Sequence, residues 1–132
     1  MITFQDIFNA AWEEFIIKDN PPAVEPTKYS YSCKYLTKDG RKCAIGLCLP
    51  TNLDTKGTNN SNMDVTFGEL IVRYPDLFDC KSSTDATDFQ KDLHDDLVNM
   101  KTGQWNYTKD ARKQNYINVA RKFNLTIPEP TL

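Results

Sequence analysis

The residues best equipped for chemistry in this chain are its thiols and one imidazole. Cys33, Cys43 and Cys48 fall within residues 31–50, YSCKYLTKDGRKCAIGLCLP, and the single histidine stands in Leu93-His94-Asp95-Asp96. Two kinds of chemistry use such a set. A thiolate attacks electrophiles when a neighbouring imidazole lowers its pKa, so Cys43, with His94 as base and Asp95 or Asp96 as orienter, is a candidate Cys-His-Asp nucleophilic set. Thiolate and imidazole also suit zinc, which makes Cys33, Cys43, Cys48 and His94 candidate Cys₃His ligands. Each set has a plainer reading. No Cys-x-x-Cys pair brings two ligands together from one turn, and small cysteines serve well as core residues. Asp95 adjoins His94 directly, and adjacent side chains diverge on a helix. No oxyanion-hole motif is evident, and a boundary histidine bonded to a loop accounts for His94. No catalytic set is therefore firm, no metal is favoured, and no cofactor is expected, with zinc as the alternative.

The elements that must position these groups follow from spacing. Tyr29, Tyr31, Cys33 and Tyr35 alternate with other residues, and Asp39-Gly40 suits a type I′ turn, so residues 28–49 read as a hairpin. With Asp39 and Gly40 as the loop, Cys33 pairs with Gly46. Cys33 and Cys48 then share a face that Cys43 does not, although a one-residue bulge would reverse this parity. Thr3 and Asp6 resemble a capping box for a first helix whose stripe is Phe4, Ile7, Phe8, Ala11, Trp12, Phe15 and Ile16. Pro21-Pro22 stops it. Thr66 and Glu69 cap a short helix carrying Phe67, Leu70 and Ile71, which Tyr74-Pro75 ends. A third helix starts near Thr84, turns Phe89, Leu93, Leu97 and Met100 inward, and ends by Gly103. A last helix spans about Thr108 to Phe123, with Asn124 as its C′ residue.

These elements predict one α+β domain over residues 1–132, with about four helices packed on a small antiparallel sheet centred on the 28–49 hairpin. Residues 126–132 form an extended tail. The expected core is Phe8, Trp12, Phe15, Tyr35, Ile45, Phe67, Leu70, Phe89, Leu93, Val119 and Phe123. The Asn-rich stretch 51–62 reads as a surface loop.

Bulk composition excludes several classes. The chain has 132 residues, 39% of them apolar and 26% charged, which suits a folded domain. A formal net charge of -2 sets up no field that attracts nucleic acid or anionic lipid. No apolar run approaches the roughly 20 residues that span a bilayer. The N-terminus carries acids and lacks a basic n-region, so no signal peptide is read and a reducing cytoplasm is expected, with free thiols. The last helix carries Lys109, Arg112, Lys113, Arg121 and Lys122, while the preceding one carries Asp85, Asp88, Asp92, Asp95 and Asp96. These two charged faces can complement each other across a seam, and direct nucleic-acid binding is not expected.

Cys33-x-Tyr35, Asp39-Gly40-Arg41-Lys42-Cys43-Ala44-Ile45-Gly46, a further cysteine and a Leu-Pro close are followed by Phe89-Gln90-Lys91-Asp92-Leu93-His94-Asp95, then Trp105 and a closing helix. This order resembles a family of small uncharacterised phage and bacterial proteins with a DGRKCAIGC-type hairpin and a downstream LQxxHD helix. The likeness spans most of the chain. Here Leu47 takes the place of that family's third cysteine, and Cys48 follows one later. The resemblance implies a phage-type accessory protein of α+β build and no particular activity.

The expected function is a non-enzymatic binding module acting on a host protein in the host cytoplasm, as a counter-defence inhibitor. Its candidate contact residues are Asp92, Asp95, Asp96, Tyr29, Tyr31 and Trp105. The alternatives are a thiol-dependent hydrolase or transferase using Cys43 and His94, and a protein that sequesters a small ligand. No membrane partner is expected.

Overall fold

Thr3 starts the structure of this chain. In the computed structural model its hydroxyl accepts from the Asp6 N–H at 3.0 Å, and the Asp6 carboxylate accepts from the Thr3 N–H at 3.0 Å. This complete capping box opens α1, Phe4–Ala11. The structure describes residues 1–18, 24–26, 31–33, 35, 42–56, 65–80, 82–95, 98–99, 104–105 and 109–128. For 24–26, 31–33, 94–95, 98–99, 104–105 and 109–112 the backbone alone is described. A π-helical turn, Trp12–Ile17, continues α1, with the Lys18 N–H bonded to the Glu13 carbonyl at 2.9 Å. Trp12, Phe15 and Ile16 are all buried in that wider turn.

Three further helices close around α1. The Thr66 hydroxyl accepts from the Glu69 N–H and caps α2, Phe67–Arg73. The Ser82 hydroxyl accepts from the Asp85 N–H at the start of α3, Ser83–Asp95. The last, α4, spans Lys109–Lys122. It ends as Asn124 takes φ 56, so that the Leu125 N–H reaches the Ala120 carbonyl at 2.7 Å and the Asn124 N–H faces that of Arg121. That is a Schellman closure around a left-handed residue, which asparagine tolerates. Beyond it, Gln5 bonds both the Thr126 N–H and the Thr126 carbonyl, so the start of the tail is held against α1.

Aromatic side chains join the helices. The Phe4 ring stacks on Phe89 at 4.3 Å, meets Phe123 edge-on at 5.7 Å and lies 6.0 Å from Phe67. One turn on, Phe8 touches Trp12 and Tyr116. Such pairs each add about 0.5–1.5 kcal/mol to the gain from burial. The expected core residues are buried, except Phe123, which is half-buried and packs against the rest. Leu97 and Met100 lie outside the described residues.

The fold is mainly helical, and this corrects the α+β expectation. Strand pairing among the described residues amounts to two short ribbons and a parallel bridge between Ile2 and Phe78. Val24–Pro26 pairs antiparallel with Tyr31–Cys33, and Val98–Asn99 with Gln104–Trp105. The described core is built from the helices, the 43–49 segment and the buried side chains of Tyr35, Val65 and Phe78. The 28–49 hairpin is not formed as expected, because Tyr31–Cys33 takes Val24–Pro26 as its partner and Gly46–Cys48 is a 3₁₀ turn. The physical reason is patterning. Residues 43–49, CAIGLCL, are apolar on both sides and lack the alternation that a half-buried strand needs. The turn residues Asp39 and Gly40 lie outside the described residues. The third helix also ends earlier than expected, at Asp95.

Candidate functional site

Cys43 stands at the entry to the buried turn. Its sulfur accepts from the Gly46 N–H at 3.4 Å, and its carbonyl accepts from the Leu47 N–H at 3.1 Å. The thiol thus does locally what a capping hydroxyl does for a helix start. Cys48, at the end of the turn, donates to the Asp6 carbonyl at 3.7 Å. Burial first, and then the negative charges of Asp6 and Cys43, push the Cys48 thiol from 9.0 up to about 11. Cys43 itself is 3% exposed. The third described thiol, Cys80, is half-buried and turned to the Ser82 carbonyl at 3.5 Å. Burial thus favours the neutral form of the Cys48 thiol and shuts Cys43 off from solvent, whereas an activated cysteine needs an accessible, electropositive setting.

Gly46 is required by space. A Cβ there would lie 2.0 Å from the Tyr35 carbonyl oxygen. The close approach locks the turn against Tyr35, whose ring is buried and whose hydroxyl donates to the Val65 carbonyl at 2.6 Å. The same hydroxyl accepts from Gln90 Nε2 at 3.2 Å, and Gln90 Oε1 accepts from the Phe67 N–H at 2.8 Å. Tyr35, Gly46 and Gln90 therefore form one brace between the 43–49 turn, the start of α2 and the middle of α3.

The other sequence candidates are placed as follows. The backbones of His94 and Asp95 form the last turn of α3, and their side chains lie outside the described residues, as do those of Cys33, Tyr31 and Trp105. Asp96 and Tyr29 are not among the described residues. Asp92 is described: its carboxylate accepts from Lys122 Nζ at 2.7 Å, and its carbonyl accepts from Asn115 Nδ2 at 3.2 Å. The hydrogen bond to Asp92 raises the pKa of Lys122. The acidic and basic helices thus meet across a seam at this point. Among the described residues no three His, Cys, Asp or Glu side chains gather as a metal site would require. No helix among them is long and apolar enough to cross a membrane.

Two surface features escaped the sequence reading. A groove of about 450 Å³ runs between α2 and α3, lined by Gly68, Glu69, Val72, Ser83, Thr87 and Asp88 among others. Val72 is 69% exposed there, and the described lining residues include the carboxylates of Glu69 and Asp88. A separate cavity of about 330 Å³ opens beside the 43–49 turn, between Tyr35, Lys42 and Lys56. Neither follows from local spacing, because each is lined by residues distant in the chain.

No protein-family model matches this chain, and no curated protein or solved structure matches it.

Proposed function

We propose that this chain is a phage-type accessory protein that acts as a non-enzymatic binding module on a host protein. The state of the thiols carries the reading: Cys43 is sealed in the core and spends its sulfur on a backbone N–H, while Cys48 is held protonated by burial. A nucleophile needs the opposite on both counts. The groove between α2 and α3 supports binding by contact. It is lined by the exposed branched side chain of Val72 together with Glu69 and Asp88, with exposed Asp85 one turn before Asp88 on α3. That surface complements a partner segment with a small apolar side chain flanked by lysine or arginine. Exposed acids of this kind mainly speed association and select partners, while the apolar contact at the centre holds them.

The test begins with capture of host proteins on the immobilised chain. The captured protein is then purified and its affinity measured by calorimetry. Glu69→Lys with Asp88→Lys, and separately Val72→Asp, are expected to weaken binding at least tenfold, and Cys43→Ser to leave it within about twofold. Binding that ignores the groove variants overturns this surface. Binding that disappears in a folded Cys43→Ser variant overturns the non-enzymatic reading.

A further inference from the structure

The charges of this chain nearly cancel in sum but are unevenly placed. The formal net charge is -2, so two copies repel each other little as wholes. Yet α3 carries Asp85, Asp88, Asp92 and Asp95 against one lysine, and α4 carries Lys109, Arg112, Lys113, Arg121 and Lys122 against one aspartate. The seam between these helices uses part of that charge. Lys122 donates to Asp92 at 2.7 Å, and Asp88 acts on the same ammonium through space. Lys113 and Arg121 are exposed on α4, as are Glu69 and Asp88 at the α2–α3 groove.

Lys113, Ile117 and Arg121 recur every fourth residue, so they follow one face of α4. At 1.5 Å per residue the two cations stand about 12 Å apart along the axis, with half-buried Ile117 midway. The groove offers the converse set: Val72, 69% exposed, with Glu69 from α2 and Asp88 from α3. Its floor is fixed in advance. The Gly68 N–H donates to Thr87 Oγ1 at 3.1 Å, and a Cβ at Gly68 would collide with the Ser83 carbonyl oxygen. Helices packed this closely stand about 8–10 Å apart, comparable with the span between Lys113 and Arg121. An apolar side chain flanked by two cations is the segment that this groove complements.

We propose that the α2–α3 groove takes the Lys113–Ile117–Arg121 face of α4 from a second copy of this chain, with Ile117 over Val72 and the cations on Glu69 and Asp88. The inference rests on the groove as the contact surface assigned above but needs no host protein; a second copy competes with the host segment for it. Donor face and groove are different surfaces, so the contact is heterologous and one copy can give and receive at once. Exposed ion pairs each contribute little and are screened by salt, so the association is weak and salt-sensitive.

Sedimentation equilibrium of the purified full chain at millimolar concentration is the test, in about 0.01 M and about 1 M salt, where the screening length is roughly 30 Å and 3 Å. In low salt the average mass is expected to rise above that of one chain with concentration, and in high salt to return to it. Glu69→Lys with Asp88→Lys, and separately Lys113→Glu with Arg121→Glu, are expected to give monomers with unchanged far-UV dichroism. An equimolar mixture of the two variants should associate again, because the basic α4 of the first meets the acidic groove of the second. A wild type that stays monomeric in both salts overturns the inference. So does a double variant that associates as the wild type does, or a mixture that stays monomeric. Host-protein capture reads the proposed function separately, so a monomeric wild type that still captures its partner through the groove removes this inference alone.

Discussion

Replacing Gly46 with alanine puts one methyl group where the structure has no room. The new Cβ would sit 2.0 Å from the Tyr35 carbonyl oxygen, 2.8 Å from its carbon and 3.0 Å from Cα, whereas ordinary contact begins near 3.4 Å. All three neighbours are backbone atoms, so the turn and the Tyr35 backbone must part by more than an ångström. That movement strains the Tyr35 hydroxyl bonds to Val65 and Gln90. Overpacking of this kind costs about 1–3 kcal/mol, and a buried polar group left unpaired costs about 1–3 kcal/mol more. A total of about 2–6 kcal/mol is expected, a large share of the roughly 5–15 kcal/mol that holds a domain of this size. At ~3 °C per kcal/mol the melting temperature should fall by about 6–18 °C. Urea unfolding followed by circular dichroism reads this directly, with exposed Gln114→Ala on α4 as a control expected within ~0.5 kcal/mol. A Gly46→Ala chain less than ~1 kcal/mol below wild type would refute the close approach and the brace built on it.

Two further outcomes follow from the same geometry. Tyr35→Phe keeps the ring but leaves the buried Val65 carbonyl and the Gln90 amide without the hydroxyl, so urea unfolding should show a loss of about 1–3 kcal/mol. Cys48 gives a pH signature: because folding raises its pKa from 9.0 to about 11, its contribution is fully present below pH 9 and is lost as pH rises toward 11. The melting temperature of the wild type should therefore fall more steeply than that of Cys48→Ala between those two values. Parallel curves would contradict the buried setting of this thiol.

The helical part of the fold was legible because its signals are local. The stripe from Phe4 to Ile16, the Thr3 and Thr66 caps and the Asn124 terminus each depend on residues within a few positions, and each appears where spacing places it. The 43–49 segment was not legible, since an apolar run reads equally as a strand or as a buried turn. What decides it is a long-range contact, the approach of Gly46 to the Tyr35 carbonyl, which no spacing encodes. The facing assigned to Cys33, Cys43 and Cys48 fell with the second strand. Gln90 did carry a signal, as a polar residue beside Phe89 on the inward side of α3, and its bonds to Tyr35 and Phe67 explain its presence there. The groove and the lysine-lined cavity arise from residues distant in the chain, so only the folded arrangement reveals them.

The measurement that tests the proposed non-enzymatic role most directly is peptide-resolved alkylation of the native chain with iodoacetamide at pH 8. Cys43 should remain unmodified while a free cysteine added to the same tube reacts completely, and His94→Ala should change nothing. Labelling of Cys43 at or above the free-cysteine rate, abolished by His94→Ala, would contradict the account and make this thiol a nucleophile.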